Sequence, residues 1–336
     1  MIECGPHQEA DNSQSMRTIT LEEHFATPEI LKKSAEIQPP LRNAFVKAVE
    51  EKLLDLGAVR IADMDAAGID LQVVSLTNAG LDKLDGPTAA SLIRDANDKL
   101  AETVRSHPKR LAGFASLALQ EPEKAAAEFE RCVNKLGFKG TLVHGTTNGV
   151  FLDDPRFTPV FEAAQAMDVP FYLHPTLPPD RVEEAYFSGL PGETGFVLAT
   201  AAWGWHVETG MHCLRLIVSG LFDRFPKLKI IIGHMGEDLP FSIARAEAVL
   251  ARTTTHLKRK VGEYFQENFY ITTSGYFTVP PLLCTMQVVG ADHILFSVDY
   301  PYSPNSVGRR FLDSLPVSQQ DLAKISHGNA ERLLKL

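Results

Sequence analysis

Five residues whose side chains can bind a metal ion or move a proton lie at the downstream ends of separate strand-like runs: Glu22, His24, His174, His234 and Asp299. Each of them stands where an apolar run meets a turn. In barrels of alternating strands and helices, the side chains that do chemistry come from the carboxyl ends of several different strands. No single run is diagnostic, but the repeated placement predicts a metal site at the mouth of a barrel.

The first strand presents two of these groups together. Because side chains alternate along a strand, Glu22 and His24 share one face and Glu23 points to the other. With His174 and Asp299 they make two imidazoles and two carboxylates, a set that suits Zn²⁺ or Mn²⁺. Each residue alone is compatible with a hydrogen-bonded strand end. Together they would leave buried charges uncompensated without a cation, so we expect one divalent metal ion.

His234 has a sequence context of its own. Gly233 precedes it, Met-Gly-Glu237 follows, and Pro240 lies beyond, which predicts a strand, a tight turn and a helix start. His234 is either a fifth ligand or an acid/base placed behind the ligands, and we favour the second role, with Glu237 orienting the ring. A histidine with a purely structural role is the alternative.

The elements that must position these residues alternate regularly along the chain. Eight short apolar runs are predicted to be strands: residues 18–24, 70–76, 110–117, 140–144, 169–174, 228–234, 269–273 and 293–299. Longer helical patterns separate them: residues 89–107, 121–136, 154–167, 207–225, 240–252 and 318–334. This alternation is typical of repeated βα units around a parallel sheet. The expected fold is α/β, a single (β/α)8 TIM barrel.

The domain organisation follows from the same pattern. Residues 1–16 are polar and lack the apolar segment of a signal peptide, so we expect a mobile N-terminal tail. Residues 17–336 are then one barrel domain. Two connections, residues 25–58 and residues 175–206, are longer than a minimal barrel needs. Because long loops at the carboxyl ends of barrel strands build substrate pockets, both should wall the active site.

Composition excludes several classes of partner. The 336 residues are 44% hydrophobic and 22% charged, as in ordinary globular proteins. A net charge of −9 with scattered basic residues argues against a nucleic-acid partner. No apolar run approaches the roughly 18 residues of a membrane helix, so no membrane partner is expected. Four widely spaced cysteines without a Cys-x-x-Cys pair suit reduced thiols, and we expect a cytoplasmic protein.

Four motifs give the chain a resemblance to a known family: Leu21-Glu-Glu-His-Phe25, Phe171-Tyr-Leu-His-Pro175, Ile232-Gly-His-Met-Gly-Glu237 and Leu295-Phe-Ser-Val-Asp-Tyr-Pro301. They resemble the amidohydrolase-related (amidohydrolase 2 family) aromatic acid decarboxylases, which include γ-resorcylate, 2,3-dihydroxybenzoate and 5-carboxyvanillate decarboxylases. The resemblance runs from about Thr18 to the carboxyl terminus and implies an amidohydrolase-like barrel.

The resemblance implies a metal-dependent, non-oxidative decarboxylase that converts an ortho-hydroxybenzoate to CO2 and a phenol. Carried over by motif, the metal ligands are Glu22, His24, His174 and Asp299. Some relatives have Ala at the position of His24, which leaves its ligand role open. Asp299 would also protonate the ring carbon that bears the carboxylate, and His234 with Glu237 would shuttle that proton. We expect a homodimer or a homotetramer by resemblance alone.

Five further residues are candidates for binding a small aromatic acid. Arg60 and Arg245 can pair bidentately with a carboxylate, and in the family an arginine at the Arg245 position can reach a neighbouring subunit's site. For each arginine, a salt bridge is the alternative. His144 ends the fourth strand, where relatives tend to carry Asn, and should face the pocket. Thr77 and Tyr302 match motifs of the carboxyvanillate enzyme.

Two other functions stay open on the sequence. One is a metal-dependent hydrolase of a lactone, ester or amide on the same barrel, and the other is a non-catalytic barrel that binds an aromatic ligand. His206, in Trp203-Gly-Trp-His206, is a further pocket candidate, although packing among aromatic side chains is the favoured interpretation.

Overall fold

Eight parallel strands form the centre of the molecule. The computed structural model describes residues 16–336, so almost all of the predicted N-terminal tail lies outside the described residues. The strands are β1 Ile19–Phe25, β2 Leu71–Leu76, β3 Leu111–Gly113, β4 Thr141–His144, β5 Phe171–His174, β6 Ile230–Ile232, β7 Phe269–Thr272 and β8 Ile294–Leu295. All eight predicted strands are confirmed. The last is much shorter than the apolar run at residues 293–299 that predicted it.

The strands follow one another in chain order around a (β/α)8 barrel. Backbone ladders connect neighbouring strands in two groups, one from β1 through β3 and one from β4 through β8. A parallel bridge between Ala115 and Thr141 connects the two groups. The register pairs His144 with His174, so both strand ends open at the same level. Within residues 16–336 no ladder joins β8 to β1. Instead, the hydroxyl of Ser297 accepts hydrogen bonds from the backbone N–H groups of Leu21 (3.2 Å) and Glu22 (2.7 Å).

The helices surround the strands. They are α1 Pro28–Ile37, α2 Pro40–Leu54, α3 Ala58–Ala67, α4 Gly86–Ser106, α5 Pro122–Leu136, α6 Thr158–Met167, α7 Asp180–Phe187, α8 Thr194–Ala199, α9 Gly204–Val218, α10 Leu221–Arg224, α11 His234–Glu237, α12 Leu239–Leu250, α13 Val261–Asn268, α14 Val279–Val289, α15 Asn305–Asp313, α16 Gln319–Ala323 and α17 Asn329–Leu334. All six predicted helical patterns correspond to helices. α11 is a single turn with irregular backbone. Within residues 16–336, no helix is both long and apolar enough to cross a membrane.

Two apolar layers hold the barrel together. Inside it, side chains such as Leu21, Phe114, Leu142 and Tyr172 pack on one another, and α17 adds Leu333 from one end. Between strands and helices lies a larger buried cluster, to which α5 contributes the face that its apolar spacing predicted. Both long connections contain helices of their own: α1 and α2 lie in residues 25–58, α7 and α8 in residues 175–206.

Candidate metal centre and active site

Four of the five residues singled out by their strand-end placement converge at the carboxyl end of the barrel. Glu22 and His24 come from β1, His174 ends β5, and Asp299 follows β8. One potential ligand atom from each lies within 4.8 Å of those of the other three. His174 Nε2 is 3.3 Å from Glu22 Oε1, and His24 Nε2 is 3.3 Å from Asp299 Oδ1. The predicted metal ligands therefore form one buried cluster.

The hydrogen bonds of this cluster leave two atoms without partners. Glu22 Oε2 accepts hydrogen bonds from the hydroxyl groups of Tyr172, Ser274 and Thr272. Glu22 Oε1 and His24 Nε2 are buried and have no hydrogen-bond partner among residues 16–336. Leaving a buried acceptor unsatisfied costs free energy. A cation bound between these atoms would remove that cost, so the residues present fit a divalent metal ion.

Protonation states also suit a metal site. Burial lowers the pKa of His24 and of His174 to about 4, so both imidazoles are neutral near pH 7, as metal ligation requires. The Nδ1–H of His174 donates to the Pro175 carbonyl oxygen at 2.8 Å, which leaves the Nε2 lone pair facing Glu22. Burial, with the charge of Glu22, raises the pKa of Asp299 to about 7.

His234 lies beside the four ligands. Its Nε2 is 3.7 Å from Glu22 Oε1, and its Nδ1 is 2.7 Å from Glu237 Oε1. Burial opposes the charged imidazole, but the carboxylates of Glu237 and Glu22 outweigh it and raise the pKa of His234 to about 10. In the metal-free protein, His234 therefore carries a proton at neutral pH, and Glu237 orients the ring that holds it.

His206 extends this pair. Its Nδ1 lies 2.7 Å from Glu237 Oε2, and its Nε2 lies 2.9 Å from the Ala201 carbonyl oxygen. His206 is 1% exposed and also packs against Tyr276, so the aromatic contact expected from the sequence is present. Its hydrogen bond to Glu237 was missed, because the two residues lie on separate elements and no local spacing connects them.

The backbone around the catalytic candidates adopts unusual conformations. Asp299 has φ +72°, and His234 and Glu237 have φ values of +49° and +54°. Residues other than glycine rarely adopt this left-handed conformation, and it concentrates at functional sites. Gly275, after β7, has φ +64°, and a Cβ added there would lie 3.8 Å from both Asp299 Oδ2 and His234 Cδ2. The missing side chain leaves room between Asp299 and His234.

Three of the predicted substrate-binding residues border the cluster. The hydroxyls of Thr77 and Tyr302 are 2.7 Å apart, and the Tyr302 ring is centred 5.8 Å from that of His24. The His144 ring is centred 4.9 Å from that of His174. Burial lowers the pKa of His144 well below its ordinary value, so the ring is neutral. Its Nε2 has no hydrogen-bond partner among residues 16–336, which leaves it free to contact a ligand.

The two predicted arginines lie elsewhere. Arg60 is 0% exposed and donates through Nη2 to the His24 carbonyl oxygen at 2.6 Å and through Nε to the Asp55 carbonyl oxygen at 3.0 Å. Protein atoms thus enclose its guanidinium behind β1, which corrects the expectation of a substrate contact: Arg60 supports the strand that carries two ligands. Arg245 is exposed on α12, and its contact with a neighbouring subunit's site stays a prediction.

Arg42, on α2, is an arginine that sequence reasoning missed. It is 6% exposed, donates through Nη2 to the Asn78 carbonyl oxygen at 2.8 Å, and stacks 5.3 Å from the centre of the Trp205 ring. Within residues 16–336 no carboxylate forms a salt bridge with it, although Asp299 acts on its charge from a longer distance. Arg42, Asn78 and Trp205 line a cavity of about 270 Å³. Only its place in a long connection predicted to wall the site could have indicated it.

The barrel and the buried cluster of imidazoles and carboxylates at its mouth define a metal-dependent α/β-barrel enzyme. The chain belongs to the amidohydrolase family, whose sequence model matches residues 44–336.

Within this family, the chain is similar over almost its whole length to several aromatic acid decarboxylases. The γ-resorcylate decarboxylase of Polaromonas sp. JS666 is 42% identical over 332 residues, which cover 95% of this chain and 98% of the relative. The crystal structure of 5-carboxyvanillate decarboxylase from Sphingomonas paucimobilis has a TM-score of 0.89 at 35% identity, with 96% of this chain and 100% of that chain covered. The dihydroxybenzoic acid decarboxylase of Polaromonas, solved with manganese and the inhibitor 2-nitroresorcinol, has a TM-score of 0.86 at 40% identity, covering 95% and 97% of the two chains.

Proposed function

We propose that this protein is a metal-dependent carboxy-lyase that removes CO2 non-oxidatively from an ortho-hydroxybenzoate-type aromatic acid and releases a phenol. The observation that carries the proposal is the composition of one buried site. The cluster has two unsatisfied ligand atoms and includes Asp299, whose pKa is raised to about 7 by burial. It lies beside His234, which carries a proton, and the buried Arg42, which forms no salt bridge among residues 16–336, acts on the charge of Asp299. This combination suits an acid whose carboxylate leaves and is replaced by a proton.

The metal ion would be held by Glu22, His24, His174 and Asp299. When bound, a divalent ion such as Mn²⁺ or Zn²⁺ supplies a Lewis acid that neutralises an ortho phenolate and a carboxylate and holds them together. The bound manganese of the Polaromonas enzyme supports this assignment. The two unsatisfied ligand atoms, Glu22 Oε1 and His24 Nε2, support it independently.

The remaining residues bind the acid and move the proton. Arg42 is placed to pair with the negative charge of the substrate, since a buried guanidinium without a carboxylate partner is costly until an anion arrives. Asp299 then gives a proton to the ring carbon that bears the carboxylate. The bond from that carbon to the carboxylate breaks, its electron pair restores the aromatic ring, and CO2 leaves. His234, oriented by Glu237, returns a proton to Asp299.

A panel of aromatic acids tests the proposal. Protein stripped of metal and reloaded with Mn²⁺ or Zn²⁺ would be incubated with salicylate, 2,3-dihydroxybenzoate, 2,6-dihydroxybenzoate and 5-carboxyvanillate, and released CO2 measured. We expect CO2 and the matching phenol from at least one acid, with metal-free protein inactive. Acid release from lactones, esters or amides without any CO2 from the panel would instead favour a hydrolase. Ligand binding without turnover would favour a non-catalytic barrel.

We also infer a homodimer or a homotetramer in the cytoplasm. Phe241 on α12 is 89% exposed, and an aromatic side chain so exposed would bury apolar surface in a protein interface. Arg245 lies one helical turn from Phe241, so an interface there would carry it toward a second subunit. The unpaired thiols of Cys132, Cys213 and Cys284 suit a reducing compartment. Sedimentation of the purified protein tests the subunit number.

A further inference from the structure

The seam between β8 and β1 is closed mainly by side-chain hydrogen bonds and not by a strand ladder. β8 ends at Leu295, four residues before Asp299, so no strand ladder supports the backbone that carries this ligand. Beyond Leu295 the chain is held on this side by hydrogen bonds to residues of β1. His24 N–H donates to the Tyr300 carbonyl oxygen at 2.6 Å, and Ser297 Oγ accepts from the N–H groups of Leu21 and Glu22.

Glu23 provides the other contacts across this seam. Its side chain points away from the metal cluster, as strand alternation predicted, and is 0% exposed. Glu23 Oε1 accepts from Val298 N–H at 3.1 Å and from the Ser297 hydroxyl at 3.3 Å, while Oε2 accepts from Tyr300 N–H at 3.0 Å. One carboxylate therefore binds the backbone N–H groups on both sides of Asp299.

We propose that Glu23 is a positioning residue that clamps the backbone on both sides of Asp299 and so holds this ligand toward the metal ion. The inference rests on the proposed ligand role of Asp299. The conformation of Asp299 makes such a clamp necessary, because its φ of +72° is unfavourable for a residue with a side chain and persists only where the surroundings enforce it. Glu23 fixes the two peptide groups that bracket this residue.

The chemistry of the clamp requires two acceptor oxygens. Val298 N–H and Tyr300 N–H approach different oxygens of the carboxylate. In Glu23→Gln one oxygen becomes an NH2 group, which places a donor against one of the two N–H donors. One of the two hydrogen bonds from the backbone N–H groups is lost, and the change in side-chain volume is minimal. Glu23→Asp keeps both acceptors on a shorter side chain and should restore part of the function.

Thr273→Val is a matched structural control. Thr273, which follows β7, contacts the segment after β8 from the side opposite to β1. Its hydroxyl donates to the Ser297 carbonyl oxygen at 2.8 Å and accepts from Ser297 N–H at 3.0 Å. Valine has the same shape and removes this link without touching the N–H groups of Val298 or Tyr300. A variant that only destabilises the seam should therefore show the same changes in stability and Mn²⁺ affinity as Thr273→Val.

The experiment compares wild type, Glu23→Gln, Glu23→Asp and Thr273→Val after metal removal. Mn²⁺ affinity is measured from the electron paramagnetic resonance signal of free Mn²⁺, stability from thermal unfolding of the metal-free proteins, and kcat and KM from CO2 release. For Glu23→Gln we expect Mn²⁺ affinity and kcat each to fall by about tenfold or more, with a much smaller change in KM. Thr273→Val should lose stability and keep its Mn²⁺ affinity within about twofold of wild type.

An unchanged Mn²⁺ affinity in Glu23→Gln, accompanied only by the loss of stability seen in Thr273→Val, would overturn the proposal. If Glu23→Gln does not fold, Glu23→Asp decides: weakened Mn²⁺ binding supports the clamp, and wild-type binding contradicts it. The Mn²⁺ measurement needs no substrate. Failure of the clamp is thus distinguishable from failure of the proposed decarboxylation, which would abolish CO2 release in all four proteins.

Discussion

Several polar atoms at the mouth of the barrel are buried without a partner in the described chain. Glu22 Oε1, His24 Nε2 and His144 Nε2 belong to this group. Arg42 resembles them, because its guanidinium is buried and no carboxylate forms a salt bridge with it within residues 16–336. Such groups destabilise a folded chain unless a ligand satisfies them. The site therefore contains unsatisfied buried groups of both charge types, which suits a cation and an anionic substrate bound together.

Replacing Arg42 tests the anion half of this arrangement. For Arg42→Met we expect KM for the aromatic acid to rise by about 10- to 100-fold, because a charge-assisted hydrogen bond to the carboxylate is lost. Metal-free Arg42→Met should be as stable as wild type or more stable, since an unpaired buried charge is removed. Arg215→Met is the control, because Arg215 pairs with Asp153 on the surface of α9. A lower melting temperature with an unchanged KM would indicate a structural role for Arg42.

Which residues form the site was only partly predictable from the sequence. The ligand candidates could be found because strand alternation and strand ends place side chains in a known direction. Arg42 and the hydrogen bond between His206 and Glu237 could not, because both residues lie on helices at or beyond the long connections, where no periodicity fixes which face meets the pocket. Arg60 was misassigned for a related reason: its guanidinium type suits a carboxylate, but the sequence does not reveal that protein carbonyl groups enclose it.

At the scale of elements, α9 depends on a neutral histidine. His212 is 1% exposed, and its Nε2 accepts a hydrogen bond from Leu152 N–H at 2.8 Å, which ties α9 to the connection that follows β4. Because Nε2 is an acceptor, the ring must be neutral. Burial accordingly lowers the pKa of His212 from 6.5 to about 3. This link makes the stability of the fold depend on pH.

The direction of this pH dependence follows from proton binding to His212 in the folded and unfolded states. Below pH 6.5 the unfolded chain binds a proton at His212, while the folded protein binds it only near pH 3, so stability is lost as pH falls between these values. Between pH 7 and pH 5 this group should cost wild type about 2 kcal/mol. Urea unfolding of the metal-free protein at both pH values should show that His212→Gln loses less stability than wild type. Equal pH dependence in both proteins, or the same effect from the exposed His256→Gln, would contradict this assignment.

The eight strands could be predicted from the sequence, but the hydrogen bonds that join β8 to β1 could not. The apolar run at residues 293–299 predicted a full strand, yet β8 has only two residues. Backbone N–H groups on the two sides of this junction instead donate hydrogen bonds to the side chains of Glu23 and Ser297. An apolar pattern reports burial, and it does not report whether a backbone N–H group is bound by another strand or by a side chain.

At the scale of the whole molecule, the metal site lies across this seam. Its proposed ligands come from β1, β5 and the segment after β8, so a bound ion links the two edges that no ladder joins. The order of strands and the barrel could be predicted from the alternation of elements. The lack of a ladder between β8 and β1 could not be predicted, because it depends on how the two ends of the barrel meet and not on the sequence of either segment.

Metal removal should therefore weaken the entire fold. An ion that binds only the folded chain stabilises it by about 2.7 kcal/mol when its free concentration is 100 times Kd, and more as the concentration rises. We expect the melting temperature of stripped wild type to increase steadily with the logarithm of added Mn²⁺. His174→Asn, which removes one proposed ligand from β5, should unfold at a temperature that depends far less on Mn²⁺, whereas the surface variant Arg215→Met should respond as wild type does. A melting temperature of wild type that is indifferent to Mn²⁺ would mean that the ion does not hold the seam together.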